Sequence, residues 1–388
     1  MKERIKVGVI GAGFIGPAHI ESLRRLGFVD IVALATSNEE TAKAKAKALS
    51  IPRGYGNYED LIKADIDVVQ ITSPNYLHFP QAKAAVEVGK HVVCDKPLVM
   101  NSTESKILVE LAQKKGVVNA VTFNHRFYPL VQQSRALIQQ GGLGSLYIIQ
   151  GGFHQDWLLY DTDYNWRVEA KEGGAVRAVG DIGTHWLDTV QFVTGLKVKA
   201  VFANLRTMVP VRKKPKASVE TFAGKELKPS DYEKVPIDTE DCGIVLLKFV
   251  ESEAMGVMSV SQVSAGRKCR LFYEIYGKSG GLSWDSEMPN QLWIGHRDEP
   301  NEILIKDPAL MDSTAKPCAR YPGGHAEGFP DSHTQCERTI YEYIREEKIK
   351  GGVSPDFPTF QTGHEEQLLC EAILASSKKG AWVEIDYS

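Results

Sequence analysis

Cysteine is scarce in this chain of 388 residues: six stand apart, at Cys94, Cys242, Cys269, Cys318, Cys336 and Cys370, with no Cys-x-x-Cys pair. So thin a supply excludes a disulfide scaffold and points to free thiols in a reducing compartment. Neither sign of charge is in excess. The 46 Lys and Arg residues face 49 Asp and Glu, a formal net charge of −3, which gives no electrostatic ground for binding nucleic acid or an anionic membrane. No apolar run is long enough to span a bilayer, and no leader-like apolar stretch follows Met1-Lys2-Glu3-Arg4. Repeats are absent, and low complexity is confined to an Ala/Lys alternation at 42–48. What remains is a length suited to about two domains, with enough apolar residues to rule out a largely disordered chain. A soluble, cytoplasmic globular protein is expected.

The first third alternates strand and helix. Apolar runs at 5–10, 31–34, 67–71, 91–94 and 117–123 are separated by helical periodicity at 18–26, 39–49, 81–88 and 103–115. Buried strands joined by amphipathic helices predict an α/β fold with a doubly wound parallel sheet. After Phe123 the pattern changes. A helix at 130–140 and a strand at 145–153 are followed by a helix at 181–193 and an extended stretch at 197–209. The Lys/Pro/Glu-rich residues 211–239, with the basic run Arg212-Lys213-Lys214-Pro215-Lys216, predict a solvated loop or insertion. Strand signals then follow at 243–250, 254–263, 271–276, 281–284 and 291–294, which predicts a mixed or antiparallel sheet. Helices at 332–347 and 365–375 precede a last strand at 381–385. The expected division is 1–124 for a dinucleotide-binding domain and 125–388 for a substrate-binding and oligomerisation domain.

Gly11-Ala12-Gly13-Phe14-Ile15-Gly16 is a G-x-G-x-x-G that follows a strand and opens a helix. There the glycines permit a tight turn, close approach to a pyrophosphate and helix–strand packing, and the helix start offers N–H donors to the anion. A purely structural turn is the alternative. The carboxylate that usually ends the second strand and holds the ribose is missing. Thr36, Ser37 and Asn38 stand there instead, with Lys43 in reach of a 2′-phosphate, so both NAD and NADP stay open.

Lys96, in Cys94-Asp95-Lys96-Pro97 after the fourth strand, falls at the carboxyl edge of the sheet and can stabilise a developing negative charge on oxygen. A surface lysine is the plain alternative. Asp181 and His185, four apart, share one face of a helix. Histidine is a natural proton acceptor near neutral pH, and a neighbouring acid can orient it; an N-cap aspartate and a core histidine would read the same way. A zinc centre on this pair lacks further ligands at convincing spacing, even with His325, Asp331 and His333 considered, so no metal is expected. His154, Asp156, Trp157, Trp166 and Arg167 gather polar and aromatic groups suited to sugar rings, or to a packed domain junction.

With these motifs in this order, the chain resembles the Gfo/Idh/MocA oxidoreductases, which include glucose–fructose oxidoreductase and inositol 2-dehydrogenase. The match runs from the Gly11/Gly13/Gly16 loop through Thr72-Ser73-Pro74-Asn75-Tyr76-Leu77-His78, Gly89-Lys90-His91-Val92, Lys96-Pro97 and Asn124-His125-Arg126-Phe127 to Asp181-Ile182-Gly183-Thr184-His185. Residues 322–330 are similar to a branch that contains levoglucosan dehydrogenase. The resemblance implies a Rossmann domain followed by an α/β domain with a large, mostly antiparallel open sheet, and a homo-oligomer, dimer or tetramer. It also implies that Thr72, Pro74, Asn75 and His78 lie near NAD or NADP. Lys96 would touch cofactor and substrate, His185 would accept the proton, and Asp181 would support it; Arg126, Trp166 and Arg167 would grip hydroxyls. The expected activity is oxidation of a secondary hydroxyl of a sugar, anhydrosugar or cyclitol to a ketone. A redox-neutral, NAD-dependent glycosidase and a non-catalytic dinucleotide sensor are the other two readings.

Overall fold

The computed structural model describes residues 2–216 and 228–388. The chain divides into two compact units: residues 1–127 with 329–367, and residues 128–328 with 368–388.

The first unit is built on a six-stranded, all-parallel sheet. Its strands are β1 (Ile5–Ile10), β2 (Val29–Ala35), β3 (Arg53–Tyr55), β4 (Val68–Ile71), β5 (His91–Cys94) and β6 (Asn119–Val121), in the spatial order β3-β2-β1-β4-β5-β6. The four residues of β4 are all buried, the polar Gln70 among them, as a strand covered on both faces requires. The order reverses between β1 and β4, the place where open α/β sheets bind ligands at their carboxyl ends. The short strand β3 and the helix Tyr58–Ile62 carry too little apolar periodicity to stand out in the sequence.

The expected division at residue 124, with everything after it in one domain, needs correcting. Asn124–Phe127 form a 3-10 turn of the first unit, and the 17-residue helix Phe329–Arg345 returns to it. Cys336, Ile340, Tyr341 and Ile344 of that helix bury against Ile5, Val7 and Val9 of β1 and Ile20 and Leu23. Spatial burial, not chain order, sets the unit. The helix Phe360–Lys379 gives its first residues to the first unit and the rest to the second.

The second unit carries a nine-stranded sheet. Beside β7 (Leu146–His154) and β8 (Val198–Arg206) it holds β11 (Cys242–Phe249), β12 (Ser252–Ser261), β13 (Arg270–Gly277), β14 (Gly281–Asp285), β15 (Gln291–Gly295), β16 (Glu302–Ile305) and β17 (Val383–Glu384). Their order is β16-β15-β14-β13-β7-β12-β11-β8-β17, and only β7 and β12 run parallel. Along β11 burial alternates residue by residue, the mark of a sheet with one covered face. The helices Pro129–Gln139 and Thr184–Thr194 supply Leu130, Val131, Trp186 and Val190 to the core on that face.

The stretch expected to be a solvated loop is otherwise. β9 (Val211–Pro215) and β10 (Tyr232–Pro236) pair antiparallel, while residues 217–227 lie outside the described part. Arg212, read as part of a solvated basic run, is fully buried. It donates to the carbonyls of Leu158, Tyr160 and Asp163 and pairs with Asp241 at 2.7 Å. A guanidinium whose donors meet three carbonyls and a carboxylate can be buried at tolerable cost, which composition alone cannot reveal.

Candidate active site

In the first unit the glycine loop leaves β1 and enters the helix Gly16–Arg24. Gly11 has φ +97°, and a Cβ there would come within 2.8 Å of the Thr72–Ser73 backbone; one on Gly16 would come within 2.8 Å of the Gly11 carbonyl. A Cβ on Gly13 would meet nothing within 4 Å. Protein packing therefore demands the first and third glycines but not the second, whose side-chain position opens outward. Thr72, at the end of β4, donates to the Gly11 carbonyl at 2.9 Å and so ties the two carboxyl ends together.

The helix starts differ in a telling way. The helices Glu39–Ala48, Tyr58–Ile62 and Ser102–Lys115 are capped by Asn38, Asn57 and Asn101, each accepting from a backbone N–H three residues on. The helix Gly16–Arg24 has Ile15 at its cap and no side-chain acceptor. Pro17 has no N–H and that of Ala18 goes to the Ile15 carbonyl at 3.0 Å, but no side chain caps the helix start, where the dipole favours an anion. Phe14 is exposed beside it. The residues present fit a dinucleotide: an outward-opening glycine, a helix start without a capping side chain and the switch point coincide.

At the end of β2, Ser37 and Asn38 are exposed and Thr36 half-buried. Thr36 donates to the Asn38 carbonyl at 3.1 Å, and the Asn38 side-chain oxygen is committed to its cap at 2.8 Å. Glu39 accepts from Gly56 N at 3.0 Å and pairs with Lys43 at 3.1 Å. Lys45, on the same helix, donates to the Ala12 carbonyl of the glycine loop at 2.5 Å.

Pro74 caps the helix Asn75–Glu87, and Asn75 is buried. His78 is buried too, its ring nitrogens each 2.8 Å from a backbone carbonyl, of Pro97 and of Ser73. It ties the loop after β4 to the turn after β5, and burial lowers its pKa. Lys96 follows β5 half-buried at the carboxyl edge, before a cis Lys96–Pro97 bond. Nearby, His125 is pushed down to about 3, chiefly by burial and then by the Lys96 charge. Arg126 lies half-buried in the turn Asn124–Phe127, where Asn124 donates to Ser332 Oγ at 3.1 Å.

In the second unit, residues 179–183 form a π-helical turn leading into Thr184–Thr194, where a regular helix from Asp181 was expected. Such wide turns gather at functional sites. Asp181 lies in the π turn and His185 in the first turn after it. His185 is buried, with its ring 6.0 Å from that of Phe153. Asp181 accepts from Gln262 Nε2 at 2.8 Å and stands 3.5 Å from Arg167 Nε, while the Arg167 guanidinium lies 4.3 Å over the Trp166 ring. Trp166, Arg167 and Asp181 thus come together. Gln262, fully buried and also reached by Arg177 at 3.4 Å, is missed by sequence reasoning because it lies 81 positions from Asp181. Other polar groups serve the surface or the loops. Asp156 pairs with Lys268 at 2.7 Å, and buried Glu327, from the 322–330 stretch, pairs with buried Lys306 at 2.8 Å.

Residues 5–123 match the family described as an oxidoreductase family with an NAD-binding Rossmann fold, and residues 131–283 match the C-terminal domain of the same Gfo/Idh/MocA group. The chain belongs to the Gfo/Idh/MocA oxidoreductases. A levoglucosan dehydrogenase from Pseudarthrobacter phenanthrenivorans is 28% identical over 99% of this chain and 98% of its own. The solved levoglucosan dehydrogenase in complex with NADH and levoglucosan superposes with a TM-score of 0.87 at 26% identity, over 98% of this chain and 99% of that one. An inositol dehydrogenase homolog from Azotobacter vinelandii, solved with NAD+, shares the fold at a TM-score of 0.86 and 24% identity, over 98% and 97% of the two chains. Among the described residues of this oxidoreductase, no helix is long and apolar enough to cross a membrane.

Proposed function

We propose that the chain is an NAD(P)-dependent dehydrogenase that oxidises a secondary hydroxyl of a sugar, anhydrosugar or cyclitol to the ketone. The observation that carries this reading is the outward-opening Gly13 beside an uncapped helix start, at the switch point of the parallel sheet. Gly11, Gly13, Phe14, Ile15 and Gly16 would hold the pyrophosphate, and Thr72, Pro74 and Asn75 would flank the cofactor. Thr36, Ser37 and Asn38 would face the adenosine ribose. No carboxylate stands among those three, and Glu39 is engaged by Gly56 and Lys43; both NAD and NADP are therefore admitted. When bound, the dinucleotide supplies a nicotinamide ring able to accept a hydride from the carbinol carbon.

His185 takes the hydroxyl proton as general base. Lys96, at the carboxyl edge of the parallel sheet, stabilises negative charge that develops on a reacting oxygen. Asp181, held by Gln262 and Arg167, orients the reacting group, and Arg126, Trp166 and Arg167 bind the remaining hydroxyls and ring. The similarity to levoglucosan dehydrogenase supports this substrate class.

The test is purified protein with NAD+ or NADP+ against cyclitols, hexoses and anhydrosugars, followed by nicotinamide absorbance. Reduction with a narrow substrate set is expected. Dinucleotide binding without reduction, together with release of free sugar from a glycoside, would replace this reading with a redox-neutral glycosidase. Lys96→Ala should lower kcat by about 10²–10⁴ with unchanged thermal stability; an unimpaired variant would remove Lys96 from the chemistry.

A further inference from the structure

One buried cluster of the first unit has no part in the chemistry above. His333 and Glu337 stand four residues apart on the helix Phe329–Arg345 and so share a face. His19, on the helix Gly16–Arg24, meets them. One possible ligand atom from each of the three converges, all within 4.8 Å of one another, and all three side chains are buried. His19 Nδ1 is 3.0 Å from Glu337 Oε1, and the two imidazoles meet edge to face with centroids 4.3 Å apart.

The cluster is short of hydrogen-bond partners. His19 Nε2, His333 Nδ1 and Glu337 Oε2 are each buried without one. Nor can the contacts present all be satisfied by protons. Gln70 Nε2 lies 2.8 Å from His19 Nδ1 and 2.9 Å from Glu337 Oε1, closing a triangle with the 3.0 Å contact. If His19 Nδ1 carries the proton it can donate to Glu337 but then faces an amide donor. If it accepts from the amide, its lone pair leaves nothing to offer the carboxylate. Reversing the amide would set its oxygen against Glu337 and turn its NH2 to the Tyr341 hydroxyl, which now donates to Gln70 Oε1 at 2.8 Å. Among the described residues no Lys or Arg pairs with the fully buried Glu337, whose ionic partner is His19. Asp95 adds a second carboxylate 3.7 Å from His19 Nε2. Both carboxylates thus depend on one buried imidazole, and buried charge that is incompletely paired is costly.

We propose that His19, His333 and Glu337 bind a divalent transition-metal ion of the zinc class. Two imidazoles and one carboxylate form a donor set suited to zinc and its neighbours rather than to magnesium or calcium, which take oxygen. Asp95, 3.7 Å from His19 Nε2, is placed to hold a ligating imidazole. The ion would supply further positive charge to the carboxylates and tie the helix that opens at the glycine loop to the helix Phe329–Arg345. Its role is structural, since none of its three ligands belongs to the residues assigned to substrate or cofactor, and it stands independently of the activity proposed above.

The test uses the full chain, purified without a metal-affinity step and dialysed against metal-free buffer. About one equivalent of zinc or a related metal per chain should be recovered by elemental analysis, directly or after loading with zinc. Cobalt exchanged into the stripped protein should give the visible absorption of a low-coordinate site, and zinc X-ray absorption should show two imidazoles. His333→Ala and Glu337→Gln should each lose at least about tenfold in zinc affinity, whereas His325→Ala, on an exposed histidine, should retain it. Should the two ligand variants fail to fold, the cobalt and X-ray spectra of the unaltered protein still decide. Substoichiometric metal after zinc loading, or a bound metal without imidazole ligands, would overturn the proposal in favour of a proton or a water in the cluster. So would undiminished binding in Glu337→Gln.

Discussion

A Cβ placed on Gly13 would meet no atom of the described residues within 4 Å, whereas one placed on Gly151 would come within 2.1 Å of the Phe272 carbonyl oxygen and 2.9 Å of Trp186 Nε1. The second glycine serves the fold. It sits opposite Tyr273 in the β7–β13 ladder with φ +153°, so that Trp186 can donate to the Phe272 carbonyl at 2.9 Å. The first serves nothing inside the protein, so its absent side chain has to be explained by what approaches from outside. The same division separates other residues. Asn101 caps a helix, while Ile15 leaves one uncapped. His91 accepts from Val118 N at 3.0 Å within the sheet, while His185 stands at the end of a π turn.

If this division is right, substitutions should sort by what they damage. Gly151→Ala should be the most harmful, costing more than about 4 kcal/mol or abolishing folding, because backbone on the neighbouring strand cannot retreat without breaking the ladder. A soluble variant with an unchanged urea midpoint would break the comparison.

Acid should act next. Burial, followed by the Lys2 charge, pushes His91 down to about 4. The unfolded chain binds a proton at this histidine near 6.5, and the folded one does not. Stability from this group is therefore complete above about pH 6.5 and is lost as the pH falls toward 4, by up to about 3 kcal/mol before solvent screening. Denaturant midpoints between pH 7 and 4.5 should fall less steeply in His91→Gln than in the unaltered protein.

Asn101→Ala should cost about 1 kcal/mol, read as a lower melting temperature, and leave dinucleotide affinity alone. Gly13→Ala should do the reverse. Its effect on stability should stay within about 0.5 kcal/mol, yet the Kd for NAD+, measured by nucleotide titration, should rise at least about tenfold as the new methyl occupies the cradle. Equal affinity in Gly13→Ala would make the glycine loop an ordinary turn.

Much of the fold was legible because β1, β4 and β5 are mostly apolar runs and the helix Ser102–Lys115 has both a cap and regular spacing. The edge strands β3 and β16, short and with no buried residue, were not. The β9–β10 hairpin was hidden by its Lys, Pro and Glu content, which reads as loop when Arg212's buried partners are unknown. At the candidate site, the glycine loop, Lys96, Asp181 and His185 could be singled out from spacing. The roles of neighbouring residues could not. Lys45 donates to the glycine loop, and His78 is occupied with two backbone carbonyls.

The sequence by itself determined the alternation of strand and helix, the turn that the glycine loop makes, and the candidate groups for moving a proton. Apolar periodicity, capping and turn chemistry act over a few residues and are written locally. Only the tertiary structure decided that residues 329–367 return to the first unit, that Gln262 and Arg167 hold Asp181, and that His19 meets Glu337 across 318 positions. Which partner satisfies a buried polar atom depends on contacts between distant segments, and nothing in the local spacing of either segment carries that information.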